Sequence, residues 1–177
     1  MNFIEIKIFV RKVVLAAAGI ICSISFCAAQ EIGKPAPQLT AKTLDGESFQ
    51  LSQTLGSVVI INFWATWCSP CRQEMPALEA YYQQHKVDGL RVVAISMDDP
   101  KNDSAVRTVM KAFSFSAGFE READYRGYGR IWRMPMTFVI DRQGILRKDG
   151  SVGKPTIDLS LLETLVTPLL NTSATSH

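Results

Sequence analysis

The segment from Val58 to Cys71 constrains the fold of this chain more than any other. Residues 58–64, VVIINFW, form a run of mainly β-branched and aromatic side chains, which predicts a strand buried on both faces. Cys68 and Cys71 follow with C-x-x-C spacing, and from Ser69 onward the apolar residues recur at helical spacing. The two thiols are therefore predicted to lie where a buried strand turns into a helix.

The remaining patterns predict an α/β domain with a mixed sheet. In chain order they indicate a hairpin over 39–50 with its turn at Asp45-Gly46, strand 58–64, helix 69–84, strand 90–95, helix 98–115, an irregular stretch over 124–133, strands 136–140 and 145–147, and a last helix over about 156–170. Alternating strands and helices favour a parallel core with right-handed crossovers, and the last two strands add an antiparallel edge. We expect one domain, with helices on both sides of its sheet.

Residues 1–29 have the features of an export signal. Basic Lys7, Arg11 and Lys12 precede the apolar run 13–21, and small residues lie before a possible cleavage after Ala29. Residues 13–29 are also just long enough to remain as an N-terminal membrane anchor, so both fates stay open. In either case the predicted domain, 30–171, lies outside the cytoplasm (periplasmic or extracytoplasmic), and 172–177 form a flexible tail.

Without this leader the charges balance. The chain has 19 basic and 17 acidic residues, and removal of Lys7, Arg11, Lys12 and Glu5 leaves sixteen of each. A balanced domain gives no reason to expect a nucleic-acid partner. Two of the four cysteines also lie in the leader, so the domain keeps a single pair, which is no disulfide framework.

The position of the cysteine pair favours thiol–disulfide exchange. A helix start stabilises an anion and lowers the pKa of a thiol such as Cys68, while Cys71 lies one turn further on, within reach. Pro70 is tolerated in the first turn of a helix.

Other uses of the pair remain open. A structural disulfide over four residues constrains little of the unfolded chain. A zinc site lacks ligands, since only His85 and His177 are available besides the pair. A thiol peroxidase would need a threonine and an arginine around one cysteine, and Thr66 stands only two residues before Cys68.

Three motifs, in the expected order, resemble one known family. They are VVIINFWATWCSPCRQEMPALEAYY, RVVAISMDD and MPMTFVIDRQG. Together they are similar to the TlpA/ResA-like extracytoplasmic thiol-disulfide oxidoreductases of the thioredoxin superfamily, over most of residues 31–170. The resemblance implies a thioredoxin-like fold, with an N-terminal β-hairpin and a strand-helix insertion.

The resemblance also implies roles for individual residues. Cys68 would attack and Cys71 would resolve the mixed disulfide, opposite a cis-proline at Pro135. The substrate would lie against Trp67, Ser69, Pro70, Met134 and Met136. Met136 departs from the family pattern, in which a threonine is usual at this place. Trp64 is expected in the core and Arg72 on the surface.

An exchange of acidic residues separates this chain from thioredoxin itself. Thioredoxin has a buried aspartate six residues before its first cysteine, and this position is Asn62 here. As in TlpA/ResA-like proteins, Glu74 stands one helical turn after Cys71. We expect Glu74 to be partly buried, to have a raised pKa and to relay the proton of Cys71.

The resemblance favours an enzyme that reduces disulfides of exported proteins and so keeps cysteines, such as those of apocytochrome c or of metal sites, in the thiol form. Its electrons would come from a membrane thiol reductant, and no cofactor or bound metal is expected. An oxidase that forms disulfides, a thiol peroxidase, and a carrier that grips metal or peptide through its cysteines also stay open as functions.

Overall fold

The computed structural model describes residues 31–172, so the predicted leader at 1–29 and nearly all of the predicted tail lie outside it. Seven strands and four α-helices occur within these residues. They are β1 Thr40–Thr43, β2 Ser48–Gln50, β3 Val58–Trp64, α1 Ser69–His85, β4 Leu90–Ser96, α2 Asp103–Met110, β5 Ser116–Asp124, β6 Met136–Ile140, β7 Leu146–Lys148, α3 Leu159–Leu165 and α4 Thr167–Asn171.

The strands form one mixed sheet in the order β2-β1-β5-β4-β3-β6-β7. β3 runs parallel to β4, and β4 runs parallel to β5, whereas the pairs toward both edges are antiparallel. Every residue of β3 is buried, which explains why its sequence is a continuous apolar run rather than an alternating one. The predicted α/β fold with a mixed sheet is confirmed. Both edge strands are only three residues long.

Buried apolar side chains form two cores, one on each face of the sheet. The first core contains the buried apolar residues of all four α-helices, including Cys71, Met75 and Leu78 of α1. The second core lies under the N-terminal segment and two short 3-10 helices, which contribute Leu51 and Tyr128. Helical cover on this second face is therefore limited to these short 3-10 helices.

The prediction missed strand β5 and extended the preceding helix too far. The helix predicted over 98–115 reduces to a 3-10 turn, Pro100–Asn102, and to α2. β5 was overlooked because Gly118 and its run of charged residues have low strand propensity. The glycine has a packing reason: a Cβ at this position would lie 2.7 Å from the carbonyl oxygen of Lys42 in β1.

The predicted last helix is split in two. Asp158 caps α3 by accepting a hydrogen bond from the backbone N–H of Leu161 at 2.9 Å. A break at Val166 separates α3 from α4, whose first turn contains Pro168. Within residues 31–172, none of these helices is both long and apolar enough to cross a bilayer.

Candidate active site

Cys68 and Cys71 lie where strand β3 gives way to helix α1, as predicted. They form a disulfide with an S–S distance of 2.05 Å. Cys68 is the N-cap of α1, and its sulfur accepts a hydrogen bond from the backbone N–H of Cys71 at 3.3 Å. Only 5% of Cys68 is exposed and none of Cys71, so the first cysteine is the one that a partner can reach.

The surface beside Cys68 is open. Trp67 is 65% exposed, and Ser69, Pro70 and Arg72 are exposed as well. A shallow depression next to the disulfide is lined by Thr66, Trp67, Ser69, Arg72 and Gln73. The exposed Trp67 contrasts with Trp64, which is fully buried in the first core, as expected for both.

The loop before β6 reaches the same place. The Met134–Pro135 peptide bond is cis, as predicted. Pro135 is buried, and the half-buried Met134 packs against the core cluster that contains both cysteines. Because Met136 pairs with Phe63, these two residues lie at the end of β3 that leads to Cys68.

Met136 does not fit its predicted role as a substrate contact. It is paired with Phe63 in the sheet, is fully buried, and points into the second core on the face away from α1. Side chains alternate between the faces of a strand, so the residue after the cis-proline is turned away from the cysteines. Substrate contact through the Met136 side chain is thus ruled out by its burial.

Asn62 and Glu74, linked by the sequence argument, are in direct contact. The Asn62 amide donates hydrogen bonds to Glu74 Oε1 at 2.8 Å and to Thr137 Oγ1 at 2.9 Å. The backbone N–H of Ile157 donates to Glu74 Oε2, also at 2.8 Å. Asn62 and Thr137 are fully buried and Glu74 is 3% exposed, so the carboxyl group is more deeply buried than predicted.

Burial raises the pKa of Glu74 to about 7, although the hydrogen bonds from Ile157 and Asn62 and the charge of Lys148 lower it. Half-protonated near neutral pH, this carboxyl group can both accept and return a proton there. It stands one helical turn from Cys71 on the buried side of α1.

A second buried acid, Asp98, was not predicted as a site residue. Its carboxylate accepts hydrogen bonds from the Thr66 N–H at 2.8 Å, the Thr66 hydroxyl at 2.5 Å and the Ser96 hydroxyl at 2.9 Å. These bonds tie the segment that leads to Cys68 to the end of β4. An acidic residue directly after an apolar strand, in ISMDD, was the available signal, but it was assigned to a helix start.

His85 gives no support to a metal site. It lies at the far end of α1 and pairs with Asp88 at 3.0 Å. The residues described contain no cluster of three or more His, Cys, Asp or Glu side chains that could hold a metal ion.

A C-x-x-C disulfide at the start of a helix, beside a cis-proline on a mixed sheet, defines a thioredoxin-like thiol-disulfide oxidoreductase. Known proteins agree with this class. The chain is 36% identical over 128 residues to the thioredoxin-like protein YneN of Bacillus subtilis, covering 70% of this chain and 73% of the relative. It is 28% identical over 148 residues to the thiol-disulfide oxidoreductase ResA of Bacillus cereus, covering 81% and 84% of the two chains.

Solved structures show the same fold. One from Chlorobium tepidum, described as a thiol:disulfide interchange protein DsbE, superposes with a TM-score of 0.68 at 30% identity and covers 81% of this chain and 100% of its own. The family model described as AhpC/TSA matches residues 32–149. The chain belongs to the AhpC/TSA family, and within it resembles the ResA-like thiol-disulfide oxidoreductases.

Proposed function

We propose that this protein is an extracytoplasmic disulfide reductase that acts on exported proteins. Cys68 is the attacking cysteine, Cys71 the resolving cysteine and Glu74 the proton acceptor. Trp67, Ser69, Pro70, Met134 and Pro135 border the place where a substrate chain would lie. The reductive direction rests on one observation. The carboxyl group of Glu74 is buried and hydrogen-bonded one helical turn from Cys71.

The charge of Glu74 opposes a strongly oxidising couple. A dithiol protein is a strong oxidant when its thiolate form is highly stabilised. An ionised carboxylate one turn from Cys71 disfavours a thiolate beside it, because like charges in a buried site repel. When the reduced form is less stabilised, the disulfide is harder to reduce. The reduction potential of the couple is then lower, as in proteins that act as reductants.

The proposed reaction is a two-step exchange. The Cys68 thiolate attacks one sulfur of a substrate disulfide, forms a mixed disulfide and releases the other substrate sulfur as a thiolate, which takes up a proton. Cys71 gives its proton to Glu74 and attacks Cys68 Sγ, which releases the second substrate thiol. The protein is oxidised by two electrons, and a membrane thiol reductant restores the dithiol.

Measuring the reduction potential of the Cys68–Cys71 couple tests the direction. Equilibration with glutathione or dithiothreitol buffers is expected to give a value near the thioredoxin end, about −270 mV, rather than the DsbA end, about −120 mV. A potential close to the second value would overturn the reductive proposal and leave an oxidase.

Partners can be trapped with a variant that stops after the first step. In Cys71→Ser the mixed disulfide on Cys68 cannot be resolved, so exported substrates should accumulate on it. Cys68→Ser is the matched control, because it removes the reachable sulfur. Equal capture by both variants would argue against Cys68 as the attacking residue.

Export itself is a separate part of the proposal. It is supported by the basic and apolar pattern of residues 1–29, which predicts a signal peptide or anchor ahead of the domain at 30–171. Cell fractionation of the full chain, with protease treatment of spheroplasts, should place the domain outside the cytoplasm. A protease-protected, cytoplasmic protein would refute this part alone.

A thiol peroxidase and a carrier of metal or peptide have less support. Thr66 directs its hydroxyl and its N–H to Asp98, so it is engaged away from the role of a peroxidase threonine. For a metal carrier, the described residues add no further ligands to the cysteine pair that would make a cluster of three or more.

A further inference from the structure

Lys148, the last residue of β7, is a half-buried lysine near the active-site acid. β7 pairs antiparallel with β6, and Lys148 lies opposite Val139. Residues directly opposite each other share a face of the sheet. Val139 belongs to the first core together with Cys71, so Lys148 extends over the same face as α1.

Hydrogen bonds connect Lys148 to Glu74 through two strand residues, Thr137 and Asn62. Lys148 Nζ donates to the carbonyl oxygen of Thr137 at 3.2 Å, and the Thr137 hydroxyl accepts from Asn62 at 2.9 Å. Asn62 in turn donates to Glu74 at 2.8 Å. Within residues 31–172 no carboxylate lies within ion-pair distance of Lys148. Its ammonium group therefore influences nearby carboxyl groups through longer-range electrostatic attraction.

Few charged groups influence the titration of Lys148 and Glu74. Burial, together with the guanidinium of Arg133, lowers the pKa of Lys148 below its usual value, although the charges of Asp149 and of Glu74 on α1 act in the opposite direction. Lys148 in return lowers the pKa of Glu74. Arg133, next to the cis-proline loop, donates to the Gly150 carbonyl at 2.9 Å and stacks on the exposed Trp132.

We propose that Lys148 is a positioning residue for thiol–disulfide exchange, because its ammonium group is a counter-charge that favours the ionised form of Glu74, one helical turn from Cys71. The hydrogen bond of Lys148 goes to Thr137, and Lys148 is not among the residues that line the depression beside Trp67. It acts through Glu74, and the inference therefore rests on the proposed role of that residue.

The titration of Glu74 in the oxidised protein tests this directly. The chemical shift of its carboxyl carbon is followed by NMR against pH, with Glu74→Gln identifying the signal. In Lys148→Met the midpoint should rise by roughly half to one pH unit, since a partly buried cation no longer favours the carboxylate. Lys148→Arg keeps the charge and should titrate close to the wild type.

A matched control removes a lysine charge far from the site. Lys86 is exposed at the far end of α1, about 18 Å along the helix from Glu74. Lys86→Met should leave the midpoint unchanged. If Lys148→Met does not fold, Lys148→Gln gives the same comparison. A midpoint in either neutral variant equal to that of the wild type overturns the proposal.

Kinetics separate this inference from the function on which it rests. The pH profile of disulfide exchange should shift upward in Lys148→Met in parallel with the NMR midpoint, and its Glu74 inflection should be absent in Glu74→Gln. If Glu74→Gln keeps the wild-type profile, the proton role of Glu74 fails, whereas the midpoint shift in Lys148→Met still stands.

Discussion

A hydrogen bond joins Asn62 of β3 to the buried acid Glu74 of α1. A carboxyl group at position 62 would lie on the sheet, whereas this chain holds its acid on α1 and uses the strand residue as a donor. An asparagine there binds the acid without competing for its proton, because its amide does not titrate. The cost is one buried Asn62 oxygen without a hydrogen-bond partner among the described residues.

The raised pKa of Glu74 predicts how stability depends on pH. The folded protein binds this proton up to about pH 7, but the unfolded chain only up to about 4.5. The folded state therefore binds more protons between these values, and stability falls as pH rises through them. The expected loss is about 3 kcal/mol, converted from the difference between the two pKa values.

Urea unfolding of the oxidised protein at several pH values measures this loss. Glu74→Gln is the matched variant, since a glutamine side chain does not titrate, and its stability should change less between pH 4.5 and pH 7. Parallel pH dependences in the two proteins would contradict the burial argument for Glu74.

The exposed Trp67 should matter for protein substrates alone. Trp67→Ala removes a large aromatic contact beside Cys68 and should lower the rate with a disulfide-bonded protein by about tenfold. The rate with a small-molecule disulfide should hardly change, because such a reagent needs only the sulfur. Val87→Ala, 84% exposed at the far end of α1, is a control expected to affect neither rate. Equal losses with both substrates would indicate damage to the disulfide turn instead.

At the scale of elements, β5 joins the N-terminal hairpin to the sheet. Through β5 the short strands β1 and β2 reach the parallel strands that carry the site. The close approach of Gly118 to the Lys42 carbonyl makes this junction sensitive to side-chain size.

Gly118→Ala tests the pairing of β5 with β1. The added methyl group would lie 2.7 Å from a backbone oxygen that cannot rotate away, and should destabilise the protein by about 1–3 kcal/mol. Ser116→Ala, at an exposed position of the same strand, should change stability little. Chemical denaturation of both variants gives the comparison. Similar denaturation midpoints would show that the backbones of β1 and β5 can move apart at little cost.

At the scale of the whole molecule, the redox state should affect stability in a definite direction. The disulfide closes a loop of only four residues, so it restricts the unfolded chain little. A reductant is expected to be more stable oxidised than reduced, because its folded state does not favour the thiolate; DsbA is the opposite case. Calorimetry of the two forms should give the higher Tm for the oxidised protein. A more stable reduced form would agree with an oxidase instead.

Local sequence signals predicted much of this molecule but not its long-range contacts. The run at 58–64, the turn at Asp45-Gly46 and the C-x-x-C pair each have a strong local pattern, and the structure has them as expected. Strand β5 has weak local propensity and exists because β1 and β4 pair with it.

In the candidate site, too, local sequence patterns predicted some features, whereas long-range contacts determined the others. The burial of Glu74 was expected from a family comparison, whereas its hydrogen bond with Asn62 and the contacts of Asp98 and Lys148 depend on neighbours far away in sequence. Met136 was misplaced because its orientation depends on the register of β6 against β3, which spacing alone does not give.

If the protein exchanges disulfides with client proteins, as proposed, its two three-residue edge strands limit where a client can pair with the sheet. Partly folded polypeptides readily add themselves to long exposed sheet edges, and such pairing leads to aggregation. β2 and β7 offer too few free backbone groups for a client to dock there. Under the proposed function, a client would instead engage the cis-proline loop, and completion of the disulfide exchange would release it.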